Sequence, residues 1–227
     1  MDSNLLETDI NDILHTVLTE ASDDLLLVDP TEETIQALVD VATEFDGELP
    51  TIRMVAEERP IKETMEDFLV ASRAADLIDA GQLSIRLLED PAANALLVSE
   101  DSVLALVSAG DRIAALSTDD ADFIESARES YDQRWDAADA YHLRTPPLSR
   151  VRETLGSDIS ETAREDFDAV LADLDTARGD GEGLDEVTIS LLVAAKNEVL
   201  LYDISKWGED VGIASKATFS RTKTRLE

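Results

Sequence analysis

The strongest constraint on this chain is a change of apolar period that repeats along its first half. Residues 25–28 read LLLV, a continuous apolar run of strand length. A short link follows, and then Ile35, Leu38, Val39 and Ala42 recur at helical spacing. Asp29 is placed to cap that helix, with Pro30 at its first position. The pattern returns: TIRMVA at 51–56 reads as a strand, 62–81 as a helix stopped by Gly81, and LSIRLLE at 83–89 as a third strand. Strand, short loop and helix in succession begin an α/β fold.

Around this unit the sequence predicts further elements. Residues 4–20 put Leu6, Ile10, Ile13, Leu14, Val17 and Leu18 on one stripe and read as a helix. Three more strands are expected at 94–99, 101–108 and 112–117, joined by the turn-like SEDS and AGD, with SEDS short enough for a hairpin. A long helix over 119–141 carries Phe123, Ala127, Tyr131, Trp135 and Ala138 on one face. Its aromatic residues Tyr131, Trp135 and Tyr141 suit a core stripe, or a seam between two copies of the chain.

Pro146 and Pro147 interrupt this and mark a domain boundary. Residues 1–145 are therefore expected to form a mixed-sheet α/β domain with flanking helices. Residues 146–227 form a helical connector and a helix-turn-helix domain. A helix is predicted over 161–177 and a glycine-rich loop at 178–185, RGDGEGLD. Helices at 185–198 and 203–212 follow, with VLLY at 199–202 as a short extended link. Gly212 suits the tight turn before a third helix, which Ser215 caps.

Composition narrows the chemistry. The formal net charge is −32, from 51 acidic and 19 basic residues, and the isoelectric point is near 4.1. The acids are dispersed along the chain rather than blocked, as in a surface made to work in concentrated salt, where screening shortens to roughly 3 Å at 1 M. The absence of cysteine excludes disulfides, thiol catalysis and cysteine-ligated zinc. No apolar run spans a bilayer and the first residues lack a signal-peptide pattern, so a cytoplasmic setting is expected.

Against this acidity, the last stretch, SKATFSRTKTRLE, is basic through Lys216, Arg221, Lys223 and Arg225. On a helix, Phe219 and Leu226 lie seven apart and are expected to turn inward. Lys216, Ser220, Arg221, Thr224 and Arg225 then face outward, with Thr218 near the edge. A basic, hydroxyl-rich helix behind a glycine turn suits the DNA major groove, where arginine addresses guanine and hydroxyls address phosphate or thymine. Ser215 and the helix N-terminus can hold a phosphate. Cations near a helix C-terminus are also favourable on dipole grounds alone, which accounts for Lys223 and Arg225 without DNA. The DNA-contact set predicted from the sequence is Ser215, Lys216, Thr218, Ser220, Arg221, Thr224 and Arg225.

Three segments carry a family resemblance: VDPTEET at 28–34, LLVSEDSVLALV at 96–107 and GIASKATFSR at 212–221. Together they resemble the haloarchaeal TbsP family of transcriptional regulators, over essentially the whole chain. The last segment resembles the recognition helix of winged helix-turn-helix regulators through Ser215, Thr218, Arg221 and Leu226. The N-terminal region resembles the α/β sensor domain of TrmB-like proteins, a relative of the phospholipase D fold. The resemblance implies a sequence-specific DNA-binding regulator of carbohydrate or central metabolism genes, working as a homodimer and in company with a second regulator. It also implies a wing after Leu226, which the chain, ending at Glu227, is expected to lack. The alternative is a module that contacts another regulator or the transcription machinery without reading DNA.

No enzyme emerges. Phospholipase D chemistry needs a His-x-Lys motif, whereas His15 is followed by Thr16 and Val17, and His142 by Leu143 and Arg144. Phosphate-binding loops, dinucleotide fingerprints and HExxH are absent. No cofactor or metal is expected. In open α/β sheets ligands bind beyond the carboxyl ends of the strands. That picks out Asp29, Thr31, Glu32, Glu89 and Asp90 as a rim for a small neutral metabolite.

Overall fold

The computed structural model describes all residues except 1–3, 8, 22, 110, 111, 178–184 and 227. The expected glycine-rich loop thus lies outside the described residues but for Asp185, as does most of the AGD turn. The chain divides into two compact units, residues 1–66 with 77–142, and residues 67–76 with 143–227.

The first unit is built on an eight-stranded mixed sheet. Its elements are β1 (Asn4–Glu7), α1 (Ile10–Glu20), β2 (Asp24–Val28), α2 (Glu32–Thr43), β3 (Thr51–Ala56), α3 (Glu58–Thr64), β4 (Leu83–Leu87), β5 (Leu96–Val98), β6 (Val103–Ala109), β7 (Arg112–Thr118), α5 (Ala121–Ala137) and β8 (Asp139–Ala140). Between α3 and β4 runs α4 (Phe68–Asp79), whose residues up to Asp76 belong to the second unit. The strand order is β1-β7-β6-β5-β2-β3-β4-β8, with β2, β3 and β4 parallel and the remaining pairs antiparallel. The strands expected from LLLV, TIRMVA and LSIRLLE are these three parallel ones, linked through helices as the alternating periods require.

Register assigns the two faces. Leu25, Leu27, Leu97, Leu104 and Ala115 share one face and are all fully buried. Leu26, Val28, Val98 and Val103 share the other with Val55, and there pack with Ile124 and Trp135 of α5. The expected SEDS hairpin is present: Ser99 N–H donates to Ser102 O at 2.9 Å, and Ser102 N–H to Ser99 Oγ at 3.1 Å.

Four local readings are corrected. Residues 4–7 form an edge strand on β7 rather than the start of a helix. The helix begins later because the Asp9 carboxylate accepts the Asn11 N–H at 3.0 Å and fixes its first turn. Asp29 does not cap α2; Thr31 does, accepting from Thr34 N–H. The helix expected over 62–81 is two helices, because Asp67 accepts the Leu69 and Val70 N–H groups and starts a new one. Gly81 ends it as expected, at φ +71°. The helix expected to reach 141 stops at Ala137, and residues 139–140 pair with β4. Along α5 the buried residues are Ile124 and Trp135, whereas Phe123 is 54 % exposed.

The second unit is helical: α6 (Leu148–Thr154), a π-helical turn at Leu155–Ile159, α7 (Glu161–Ala177), α8 (Glu186–Lys196), α9 (Leu201–Val211) and α10 (Lys216–Leu226). Phe167, Val151, Leu155, Ile189, Ile204, Trp207 and Phe219 are among the side chains of its core. The helix at 148–154 has no counterpart in the sequence reading, being too short to show a period. VLLY is an extended link only in part: Glu198 turns left-handed at φ 56° and closes α8, Leu200 is extended as the residue before α9, and Leu201 and Tyr202 already belong to that helix.

Candidate nucleic-acid interface

Three helices, α8, α9 and α10, make the candidate site. The hinge of the arrangement is Gly212, at φ +100°, where a side chain would be strained. Gly208 O accepts the N–H groups of Gly212 and Ile213, at 3.2 and 2.8 Å, which closes α9. The chain then turns through Ala214 to Ser215, whose hydroxyl accepts the Thr218 N–H at 3.3 Å and caps α10. The expected cap and glycine turn are therefore both in place.

Phe219 is fully buried, and Thr222 joins it on the inner face at 8 % exposure. Burying a phenylalanine is worth about 2–3 kcal/mol, enough to hold one face of a three-turn helix inward. Leu226, expected inward, is instead 50 % exposed. The seam is Phe219–Thr222: seven residues turn Leu226 only about 20° from Phe219, but it sits in the last turn of the helix and stays half exposed.

Six of the seven predicted contact residues, with Ser215 at the cap, occupy α10 as one continuous surface. Ser215, Ser220, Arg221, Thr224 and Arg225 are exposed; Lys216 and Thr218 are half-buried. The cations differ in their partners. Lys216 Nζ lies 3.2 Å from Glu209 Oε2 on α9, and 6.0 Å from the Tyr202 ring centroid. Their hydrogen bond raises the lysine's pKa and lowers the glutamate's. Arg225 Nη2 lies 3.1 Å from Asp185 Oδ2, the carboxylate that caps α8 through Thr188 N–H. Arg221 Nη2 donates to Thr218 Oγ1 at 3.3 Å and, among the described residues, meets no carboxylate at ion-pair distance. Sequence reading missed Glu209 and Asp185 as partners. They are 7 and 40 residues away along the chain, and only the folding back of the helices brings them near.

The rim residues of the α/β unit fare differently. Asp29 sits at φ 46°, and its carboxylate accepts Ala92 N–H at 2.7 Å, so it anchors the loop that carries Glu89 and Asp90. Thr31 is spent on capping α2. Glu32 is exposed, and a hydrogen bond with Glu63 raises its pKa while lowering that of its partner. Structure thus brings Asp29 close to the 89–92 loop, but the described clefts of this unit are lined elsewhere. One of about 210 Å³ involves Ser99, Asp101, Ser102 and Asp119. Another, of about 510 Å³, lies between α5 and the outer strands. Among the described residues, no His, Asp and Glu cluster is arranged to hold a metal ion, and no helix is long and apolar enough to cross a membrane. His15 stands against Phe45, with ring centroids 5.6 Å apart.

No curated protein matches the chain. Among solved structures, similarity extends to TrmBL2, described as an archaeal chromatin protein with a novel mode of DNA binding. It is 12 % identical with a TM-score of 0.43, and the match covers 62 % of this chain and 54 % of that one. This chain therefore spans about half the length of TrmBL2. Nuc from Salmonella typhimurium, a phospholipase D family member, is 11 % identical at TM-score 0.41, covering 61 % of this chain and 99 % of its own. NucT from Helicobacter pylori is 13 % identical at 0.43, covering 61 % and 98 %. Likeness at that level carries no argument about activity. Family comparison is more specific. Residues 2–146 match "Transcriptional regulator TbsP-like, N-terminal", and residues 147–227 match "Transcriptional regulator TbsP-like, C-terminal HTH domain". With the helix-turn-helix in place and both matches spanning nearly its full length, the chain belongs to the TbsP-like family of transcriptional regulators.

Proposed function

We propose that this chain regulates transcription by reading duplex DNA with α10, as a homodimer on paired half-sites. The observation that carries the reading is the outer face of α10. It presents Arg221, which has no carboxylate partner among the described residues, beside Thr218, Ser220 and Thr224, on a chain whose net charge is −32. An arginine on a groove-sized helix is suited to guanine O6 and N7, and the hydroxyls to phosphate. Ser215, Lys216, Thr218, Ser220, Arg221, Thr224 and Arg225 form the contact surface. The acidic body repels DNA, so binding rests on base contacts more than on counterion release.

The targets are genes of carbohydrate or central metabolism in a halophilic archaeon. The acidic surface supports the halophilic setting, since dense carboxylates self-repel less in concentrated salt. The α/β unit serves as a non-catalytic sensory or pairing domain in the cytoplasm. Neither His15 nor His142 opens a His-x-Lys motif that would support phosphodiester chemistry. Asp29, Thr31, Glu32, Glu89 and Asp90 remain the proposed rim for a small metabolite.

A map of chromatin occupancy for the protein in its own host, under different carbon sources, tests the reading. Enriched promoters that share a motif are the expected result; no enrichment under any carbon source overturns it. A second reading rests on Leu192, Leu200 and Tyr202, which are 46, 68 and 67 % exposed around α8 and α9. Such a surface fits docking on another regulator or on the transcription machinery. That reading predicts co-purification of the partner without a DNA footprint.

A further inference from the structure

The surface of α10 sorts into strips. At about 100° per residue, the buried Phe219 and Thr222 define the inner line of the helix. Lys216 and Lys223 then fall on one flank, and Thr218 and Arg225 on the other, each about 70–90° from that line. Ser220 and Arg221 stand about 130° from it, and Ala217 and Thr224 about 170°, so these residues form the outermost strip. The ion pairs mark the same flanks. Lys216 leans on α9 through Glu209, at 3.2 Å, whereas Arg225 reaches the opposite neighbour, the Asp185 cap of α8, at 3.1 Å. Ala217, Ser220, Arg221 and Thr224 are all exposed, while Lys216 and Thr218 are half-buried.

A helix seated in the major groove meets phosphates along its flanks and base edges along its outer line. The flanks of α10 carry Lys216, Lys223 and Arg225. The outer strip carries hydroxyls, one arginine and one alanine. Alanine is a good helix former at any exposed position. What distinguishes Ala217 is its place at the centre of the strip and in the first turn, since the N-terminal residues of a recognition helix are the ones that contact base edges. A methyl group offers neither donor nor acceptor. Among the features of the major groove its complement is the C5-methyl of thymine. Arg221, one turn on, is long enough to fold back over Ala217. Its Nη2 instead donates to Thr218 Oγ1 at 3.3 Å, toward the α8 flank. Thr218 is held in turn by Ser215, whose Oγ lies 3.1 Å from Thr218 Oγ1. The Ala217 methyl is thereby left open, and its small size lets the first turn approach the bases closely.

We propose that Ala217 is a specificity-determining residue of this regulator, its methyl packing on the C5-methyl of a thymine next to the base that Arg221 reads. The proposal rests on the reading of α10 as the helix that enters the groove. It divides the labour along that helix. Ala217 makes an apolar base contact and Arg221 a hydrogen-bonded one, and the cations of the flanks are left to the phosphates.

Deoxyuridine tests it, because it differs from thymidine by that methyl alone. The probe is the duplex that the full chain enriches from a randomised pool in molar KCl, with each thymine replaced singly by uracil. The wild type is expected to bind one of the substituted duplexes about fourfold more weakly, the worth of one buried methyl group. Ala217→Gly is expected to bind that duplex and its thymine parent equally, while keeping its other base preferences. The readout is a ratio of two duplexes within one variant, so a general loss of stability does not move it. Should the glycine variant fail to fold, Ala217→Ser, which sets a hydroxyl against the thymine methyl, is expected to lose the same preference. Arg221→Ala is expected to keep the uracil effect and to lose a guanine preference instead. A wild type indifferent to uracil at every position, or an effect that persists in Ala217→Gly, overturns the proposal and leaves the regulator reading standing. Enrichment of no common motif overturns both.

Discussion

The Phe219 ring fills the space that a side chain at residue 208 would need: a Cβ on Gly208 would stand 2.4 Å from its Cε2 and Cζ atoms. Two consecutive helices of the DNA-reading unit therefore approach as closely as they do because α9 carries a glycine at its contact with α10. A Gly208→Ala variant gains about 1 kcal/mol of helix propensity but overpacks a fully buried ring, which costs about 1–3 kcal/mol. The expected outcome is a net loss of about 1 kcal/mol in denaturant unfolding, and a larger loss of promoter affinity because α10 is displaced.

On the proposed reading, Arg221 is a residue that reads the bases. Arg221→Ala is expected to lower affinity for the cognate duplex by about 1–3 kcal/mol, or roughly ten- to a hundredfold, with the melting temperature unchanged. Footprinting on the bound promoter measures it. An unchanged footprint assigns the reading face elsewhere.

Glu209 and Asp185 each pair with one of the cations of α10. Glu209→Gln leaves a side chain of the same shape but frees Lys216 for a phosphate. Asp185→Asn frees Arg225 and keeps a good helix cap. Each is expected to raise affinity for non-cognate duplex and to steepen the dependence of log K on log salt by about 0.9. A titration across salt concentrations reads the slope.

Asp29 combines a left-handed backbone with an anchoring carboxylate. Asp29→Ala is expected to cost about 2 kcal/mol, from the strain of a left-handed alanine and the lost bond to Ala92 N–H. Asp29→Asn tolerates the backbone and keeps an acceptor, so it is expected to lose less. Denaturant unfolding ranks the pair, and limited proteolysis within 89–95 reports release of the loop.

Acid should loosen the helical unit. Hydrogen bonds from Arg164, Lys196 and Lys216 hold Glu161, Asp166 and Glu209 below their ordinary values. Burial opposes the shift at Asp185, but the bonds from Thr188 and Arg225 outweigh it. Groups depressed on folding stabilise the protein above their unfolded values, and that stabilisation is lost as pH falls through the folded ones. The loss is therefore expected below about pH 4, the ordinary carboxylate range. Glu186, raised by burial, acts in the opposite direction. The indole N–H resonance of Trp207, which donates to Thr154 Oγ1 at 3.0 Å, follows the transition.

The sequence by itself determined the parts that depend on local period and local chemistry. LLLV, TIRMVA and LSIRLLE became strands because each is a short apolar-rich run between helical periods, and the helices that link them make their pairing parallel. Gly81 and Gly212 ended helices because each occupies a backbone conformation that other residues resist. Ser215 capped α10, and Phe219 turned inward. Tertiary structure decided what depends on partners far along the chain. Residues 4–7 became a strand only because β7 offered an unpaired edge. Asp29 left its helix for Ala92, 63 residues away, and Leu226 reached solvent where the heptad spacing pointed inward. The pairing of Lys216 with Glu209 and of Arg225 with Asp185 belongs to the same class. A helical or strand period fixes which residues share a face, but it does not say which neighbour covers that face, and in this chain the covering neighbour set the role of each side chain.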